Sequence, residues 1–202
     1  LCTIRQILEQ TLPETCHFAT LSGPTFAFEV AREVPSAIVA AAKTNIQAER
    51  IKQIFSCPYL KVFTSNDPIG VELGGALKNV IAIATGISDG LQVGHNARAA
   101  LITRGLVEMT RIGTALGARA ETFSGLSGLG DLILTCTGEL SRNRKVGLRI
   151  GQGEKIGTIT KSMNLIAEGV LTVKSAYALK SKLNIQASVI EETYKVLYES
   201  KS

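Results

Sequence analysis

Apolar residues fall at helical spacing at the start of the chain, where Leu1, Ile4, Ile7, Leu8 and Leu12 share one face. After Pro13 the period shortens. Cys16 to Leu21 reads as a short buried strand ended by the turn Ser22-Gly23-Pro24, and Thr25 to Glu33 reads as a helix with Pro24 near its first position. Ser36 to Ala42 is a near-continuous apolar run, which predicts a strand buried on both faces. Asn45 is placed to cap a helix reaching about Ser56, and Tyr59 to Thr64 reads as another strand. Residues 1–65 thus alternate strand and helix like the end of an α/β sheet.

The pattern changes at Asn66-Asp67-Pro68. Asp67 suits a helix N-cap and Pro68 a first helical residue, and Pro does not recur after it. Ile69 to about Leu91 predicts one long, mostly apolar helix. Ala97 to Leu116 predicts a second, preceded by His95-Asn96 and closed by Gly117. Residues 121–138 are punctuated by glycine and read as irregular, with a short apolar turn at Leu132 to Leu134. Ser141 is placed to cap a basic helix from Arg142 to Ile150, followed by a loop at Gly151 to Gly153. Glu168 to Leu183 and Ser188 to Glu199 read as two final helices. The expected architecture is an α/β remnant over residues 1–65, followed by an all-helical domain over residues 66–202.

Composition sharpens this picture. The 202 residues are 45% hydrophobic and 19% charged, which excludes global disorder. There is no Trp and aromatics are 5%, so the core must be aliphatic and rich in small residues. The 19 glycines are scattered through apolar stretches, a pattern of tight turns and close backbone approaches. The net charge is +5, with residues 1–65 carrying 6 basic against 5 acidic side chains and residues 66–202 carrying 16 against 12. That excess suits a small anionic ligand. A nucleic-acid partner is not expected, because the one basic cluster has no interleaved aromatics. The four cysteines (Cys2, Cys16, Cys57, Cys136) lack CxxC spacing and an accompanying His cluster, so neither zinc nor a disulfide framework is expected. Reduced thiols and the lack of a visible signal segment point to the cytosol. The longest apolar stretch, Val80 to Ile87, falls short of the roughly 20 residues of a membrane span.

Lys78 is the most informative side chain, because it is the only charge between Glu72 and Asp89. Desolvation makes a lysine a usable proton donor or acceptor near neutral pH. The competing reading is a lysine whose stem packs on apolar surface while its head reaches water. Gly74, four residues earlier on the same face, admits either a ligand or a neighbouring backbone. Gly125, Gly128 and Gly130 draw the chain up to Asp131, which could pair with the Lys78 ammonium, accept from a substrate hydroxyl or simply cap a helix. Ser141, Arg142, Asn143, Arg144 and Lys145 make either an anion site at a helix start or a solvated basic face. No strand–GxGxxG–helix fingerprint, P-loop or GxSxG is present, and His17 and His95 read as structural.

Five runs together carry a resemblance. They are Ser22 to Ala27 (SGPTFA), Asn66 to Val80 (NDPIGVELGGALKNV), Asn96 to Gly105 (NARAALITRG), Gly128 to Leu132 (GLGDL) and Leu140 to Arg144 (LSRNR). In this order they resemble the soluble bacterial NAD(P)-dependent glycerol-3-phosphate dehydrogenases from about Leu21 to Glu168, and the likeness is expected to run on to the end. The resemblance implies interconversion of sn-glycerol 3-phosphate and dihydroxyacetone phosphate in the cytosol for phospholipid synthesis. It implies a Rossmann domain followed by a helical substrate domain. The family's proton-transferring lysine matches Lys78. Its substrate contacts match Gly23, Thr25, Asp131, Ser141, Arg142 and Asn143, and Asn79 and Thr135 align with further active-site polar residues. Its coenzyme contacts match Ala27, Arg142, Ile166 and Glu168. The resemblance implies NAD or NADP, without deciding between them, and no metal. The apolar helices leave room for a homodimer face.

Two departures follow. Thr25 stands where relatives often carry Ser, which keeps the hydroxyl. The Gly-rich dinucleotide loop and a second family lysine have no counterpart here and are expected upstream of Leu1. An isolated 202-residue chain is therefore expected to bind coenzyme poorly, to expose sheet edges and to be marginally soluble. Two other readings stay open at this level: a related Lys-dependent hydroxyacid dehydrogenase, and a non-catalytic helical module that binds anions.

Overall fold

The computed structural model describes residues 3–163 and 167–201. It opens with helix α1 (Ile4–Thr11), closed at its start by a capping box between Thr3 and Gln6. Three strands follow, β1 (Ala19–Ser22), β2 (Ser36–Ala42) and β3 (Leu60–Ser65), in the order β1-β2-β3. The β1–β2 pair is antiparallel, from Ala19 opposite Ala42 to Ser22 opposite Val39. The β2–β3 pair is parallel and is crossed over by α3 (Asn45–Phe55). Only β2 matches its expected bounds. β1 starts at Ala19 rather than Cys16, because its partner strand ends at Ala42 and offers no further hydrogen bonds. The expected helix over Thr25 to Glu33 shrinks to the single turn α2 (Ala27–Val30), and Glu33 takes a φ of 60° that ends it. Thr44, not Asn45, caps α3: its hydroxyl accepts from the Gln47 amide at 3.4 Å.

From Pro68 onward every described element is helical. The spine is α4 (Pro68–Gly90), started by Asp67. The Asp67 carboxylate accepts from Gly70 N at 2.9 Å, Arg119 N at 2.9 Å and Thr122 Oγ1 at 2.6 Å, so one buried acid caps α4 and fastens the start of α6. α5 spans His95–Ala115, two residues earlier than expected, because Gly94 at φ 93° lets the chain enter the helix directly. The stretch expected to be irregular is largely helical: α6 (Ala120–Phe123), a π-helical turn (Leu126–Gly130) and α7 (Asp131–Thr137). α8 (Arg142–Gly151) begins at the expected Ser141 cap. α9 (Ile156–Ser162) has no counterpart in the sequence reading, and α10 (Glu168–Lys182) and α11 (Ser188–Tyr198) complete the chain.

α4 carries most of the core. Its Leu77, Val80, Ile81 and Ile83 are buried with Met109 and Ile112 of α5, Leu132 of α7, Val173 of α10 and Ile190 of α11. At 23 residues, α4 is long and apolar enough to cross a membrane by length and composition, which the shorter run Val80 to Ile87 did not suggest. In this fold 72% of its apolar window is instead buried against the neighbouring helices. The sheet joins the same body, since Val39 and Ala41 pack on Val71 of α4 and Leu126.

The α4–α8 crossing explains two pairs of glycines. A Cβ at Gly86 would lie 2.2 Å from Arg144 O, and one at Gly147 would lie 2.1 Å from Ile83 O. Gly90 and Gly151 repeat the relationship one turn on, each 2.3 Å from a carbonyl of the other helix. The two helices therefore meet backbone to backbone.

A lysine–aspartate pair in the candidate active site

One large cleft, of about 1030 Å³, runs between the β1–α2 turn, α1, α4, α7, the start of α8 and α10. Gly23, Thr25, Lys78, Asn79, Asp131, Thr135, Ser141, Arg142, Asn143 and Glu168 all line it. Residues separated by 145 positions of sequence are thus gathered on one concave surface. Ala27 is exposed and lies outside the lining, one residue beyond Phe26, which does line it. Ile166 lies outside the described residues. His17 and His95 are both exposed, on the segment before β1 and at the first residue of α5, so neither serves the core.

Lys78 and Asp131 meet at the cleft floor. The Lys78 ammonium donates to Asp131 Oδ2, with the lysine half-buried and the aspartate side chain 3% exposed. The cleft can therefore hold a proton donor with its counter-charge supplied from below. Burial pushes the Asp131 carboxyl above its ordinary range, against the pull of the Lys78 charge and the Thr135 hydroxyl. Thr135 Oγ1 donates to the Asp131 main-chain oxygen at 2.6 Å and lies 3.2 Å from Oδ1. Gly74 serves a neighbouring backbone, not a ligand: a Cβ there would sit 2.5 Å from Ser127 O. That contact carries the π-helical turn, and so the start of α7, up to the lysine.

A second group of side chains is built on α8. Ser141 caps it, its hydroxyl accepting from Arg144 N at 3.2 Å. Asn143 is buried and hydrogen-bonded to its neighbours. Its Nδ2 donates to Asn79 Oδ1 at 3.0 Å, and its Oδ1 accepts from Gly169 N at 3.0 Å. This ladder ties α4, α8 and the first turn of α10 together beneath the cleft. Arg142, the first residue of α8, is exposed on the cleft. The other arginines of the basic run are taken: Arg144 by Asp89 and Arg149 by Glu154. A guanidinium at a helix start, with the first-turn amides and the positive end of the dipole beside it, suits a phosphate. On the opposite rim, Thr25 Oγ1 donates to Gly23 O at 3.2 Å.

Two residues that sequence reading used only as flanking markers have positions here. Glu72 lines the cleft and accepts from Arg5 N at 3.0 Å, which holds α1 on α4. Asp89 sits between Arg98 and Arg144 with 6% of its side chain exposed. Their signal was present in the sequence, as lone acids at the ends of an apolar helix. Cys136 is buried below the site and its thiol is pushed up to about 12 by burial, so it is a packing residue. The described cysteines are free.

Residues 67–202 match the family model described as the NAD-dependent glycerol-3-phosphate dehydrogenase C-terminus, and residues 1–48 match the corresponding N-terminus model. The chain is 55% identical over 203 residues to a glycerol-3-phosphate dehydrogenase [NAD(P)+] of Geobacter sp. (strain M21). It is 56% identical over 203 residues to that of Syntrophotalea carbinolica. Both alignments take in 100% of this chain and 61% of the relative, so the chain spans about three fifths of the length of these relatives. Among solved structures, a glycerol-3-phosphate dehydrogenase from Coxiella burnetii superposes with a TM-score of 0.89 at 41% identity, over 92% of this chain and 57% of that one. A yeast glycerol-3-phosphate dehydrogenase superposes with a TM-score of 0.81 at 30% identity, over 90% of this chain and 56% of that one.

Proposed function

Because the chain belongs to the NAD-dependent glycerol-3-phosphate dehydrogenase family, we propose that it carries the proton-transfer and phosphate-binding side chains for interconverting dihydroxyacetone phosphate and sn-glycerol 3-phosphate. The observation that carries this reading is the Lys78–Asp131 pair at the floor of a cleft whose rim holds the exposed Arg142. In this reading residues 1–65 belong to the dinucleotide-binding domain and residues 66–202 to the substrate domain. The change from strands to helices at Pro68 supports that division.

The residues present suit one end of a nicotinamide coenzyme. Gly23 presents a bare turn where a Cβ would crowd Ile38 Cα at 3.0 Å, and Arg142 and Glu168 line the same cleft. The coenzyme, when bound, supplies or takes up the hydride. Lys78 does the complementary work on oxygen: its ammonium gives a proton to the carbonyl oxygen of the ketone as negative charge develops there. In the direction of oxidation the neutral amine takes the hydroxyl proton. Asp131 orients the Lys78 Nζ and balances its charge, while Thr135 holds the aspartate in turn. Arg142 and the first-turn amides of α8 hold the phosphate, which fixes the distance between carbonyl and lysine. The net charge of +5 favours a dianionic substrate. A soluble, cytosolic enzyme fits this chemistry.

Substrate competition tests the reading. With reduced nicotinamide coenzyme, dihydroxyacetone phosphate should be reduced and 6-phosphogluconate should be inert in the reverse assay. Turnover of 6-phosphogluconate in place of glycerol 3-phosphate would move the chain to a related hydroxyacid dehydrogenase.

A further inference from the structure

We propose that Asp89 is a positioning residue for phosphate binding: by clamping Arg144 and Arg98 it fixes the start of α8 so that Arg142 alone faces the phosphate. The proposal rests on the reading of the cleft given above.

α8 opens with two arginines, and on charge alone either could take an anion. They are two residues apart, so they project about 200° from one another around the helix. Only one can face the cleft, and the direction of the other decides which. Arg144 is turned toward the last turn of α4. Its Nε and Nη2 lie 2.9 and 2.7 Å from Asp89 Oδ2. The other carboxylate oxygen, Oδ1, is held at 2.7 and 2.6 Å by Nε and Nη2 of Arg98 in the first turn of α5. Each oxygen is thus chelated by one guanidinium, and three helices meet at a single carboxylate. The side chains of Asp89, Arg98 and Arg144 are 6%, 23% and 16% exposed, so the interaction is shielded from solvent and salt.

The contact acts where it matters for the phosphate. Arg144 N is also the donor to the Ser141 cap at 3.2 Å, so the clamped residue closes the first turn of the helix. Gly86 lets the Arg144 carbonyl rest against the α4 backbone, which limits translation of α8. A backbone contact of this kind resists sliding but not rolling about the helix axis. The Asn143 bonds to Asn79 and Gly169 hold one side of the helix start, and the Asp89 clamp on Arg144, about 100° further round, holds the other. Asp89→Asn would remove the negative charge and leave two partly buried guanidinium groups facing each other, which expels Arg144 and leaves the helix start held on the Asn143 side only.

The test compares wild type, Asp89→Asn and Asp89→Glu in the protein as its gene encodes it. Asp89→Asn should raise KM for dihydroxyacetone phosphate about tenfold or more while kcat changes less. The kcat/KM for unphosphorylated dihydroxyacetone should stay within about twofold, because that substrate does not use the phosphate site. Titration with inorganic phosphate should show the same weakening, and Asp89→Glu should recover part of it. Where Asp89→Asn fails to fold, Arg144→Gln cuts the clamp from its other side, leaves Asp89 paired with Arg98 and should give the same pattern. Equal losses on both ketones would assign Asp89 to stability alone and overturn the proposal. So would phosphate affinity within about twofold of wild type in the folded variant. The phosphate titration reads the clamp even if wild type turns over no dihydroxyacetone phosphate, an outcome that would sink the functional reading instead.

Discussion

The ammonium of Lys78 rests on the carboxylate of Asp131, joining the middle of α4 to the first residue of α7 across 53 positions of sequence. The pair is a buried acid beneath a half-buried base, opening on one side to a cleft. Asp131 is ordered by Thr135 below and reaches the lysine only because Gly74 admits the backbone of Ser127.

Asp131 makes stability depend on pH in a definite direction. Burial raises its carboxyl above the ordinary value of 3.8, so folding binds the proton more tightly than the unfolded chain does. The sign follows from linkage: its favourable contribution is complete below 3.8 and is lost as pH rises through the raised folded value. Urea titrations at a series of pH values should show wild type losing stability relative to Asp131→Asn across that interval. A difference that is flat or rises with pH would contradict the burial argument.

The α4–α8 crossing should tolerate no side chain at its centre. Gly147→Ala places a Cβ about 2.1 Å from Ile83 O and should cost about 3 kcal/mol or more, with Gly86→Ala similar. Gly157→Ala on α9 is the control. Nothing lies within 4 Å of its Cβ position, and the change should be neutral or stabilise by up to about 1 kcal/mol. Thermal and urea unfolding of the three variants compares them directly.

Glu108 predicts a large cost at a site remote from the cleft. It is 1% exposed, and its carboxylate accepts from Val189 N at 2.9 Å, Ile190 N at 3.1 Å and Ser188 Oγ at 3.2 Å. An acid on α5 therefore caps α11, whose own N-cap residue, Ala187, has no side chain to do so. Glu108→Ala should destabilise by about 3 kcal/mol, because two buried amides lose their acceptor. Glu108→Gln keeps one acceptor oxygen and should lose less than half of that by urea unfolding.

The fold was legible where local chemistry decides it. Asp67 and Pro68 announce the start of α4, Ser141 announces α8, and the apolar run Ser36 to Ala42 gives β2 its bounds. Legibility failed where the decisive contact is distant. Glycines over residues 121–138 look like helix breakers, yet Gly128 is there because the Phe123 carbonyl would lie 2.1 Å from its Cβ. The chain packs tightly as π and α turns instead of looping out. The β-branched Ile156, Thr158, Ile159 and Thr160 disguised α9, which is anchored by Arg149 donating to Ser162 Oγ at 2.8 Å. The candidate site divides the same way. The lone Lys78 and the Gly-rich approach to Asp131 suggested a pair, and the structure contains it. Which arginine of α8 stays free depends on Asp89, 55 residues from Arg144, and no local pattern encodes that.

The most direct measurement is the initial rate of dihydroxyacetone phosphate reduction, followed by loss of the reduced nicotinamide absorbance, for wild type and Lys78→Ala in folded protein. Lys78→Ala should lower kcat about 10²- to 10⁴-fold while phosphate-ligand binding is largely kept. Turnover by Lys78→Ala within a few-fold of wild type would contradict the assignment of proton transfer to Lys78.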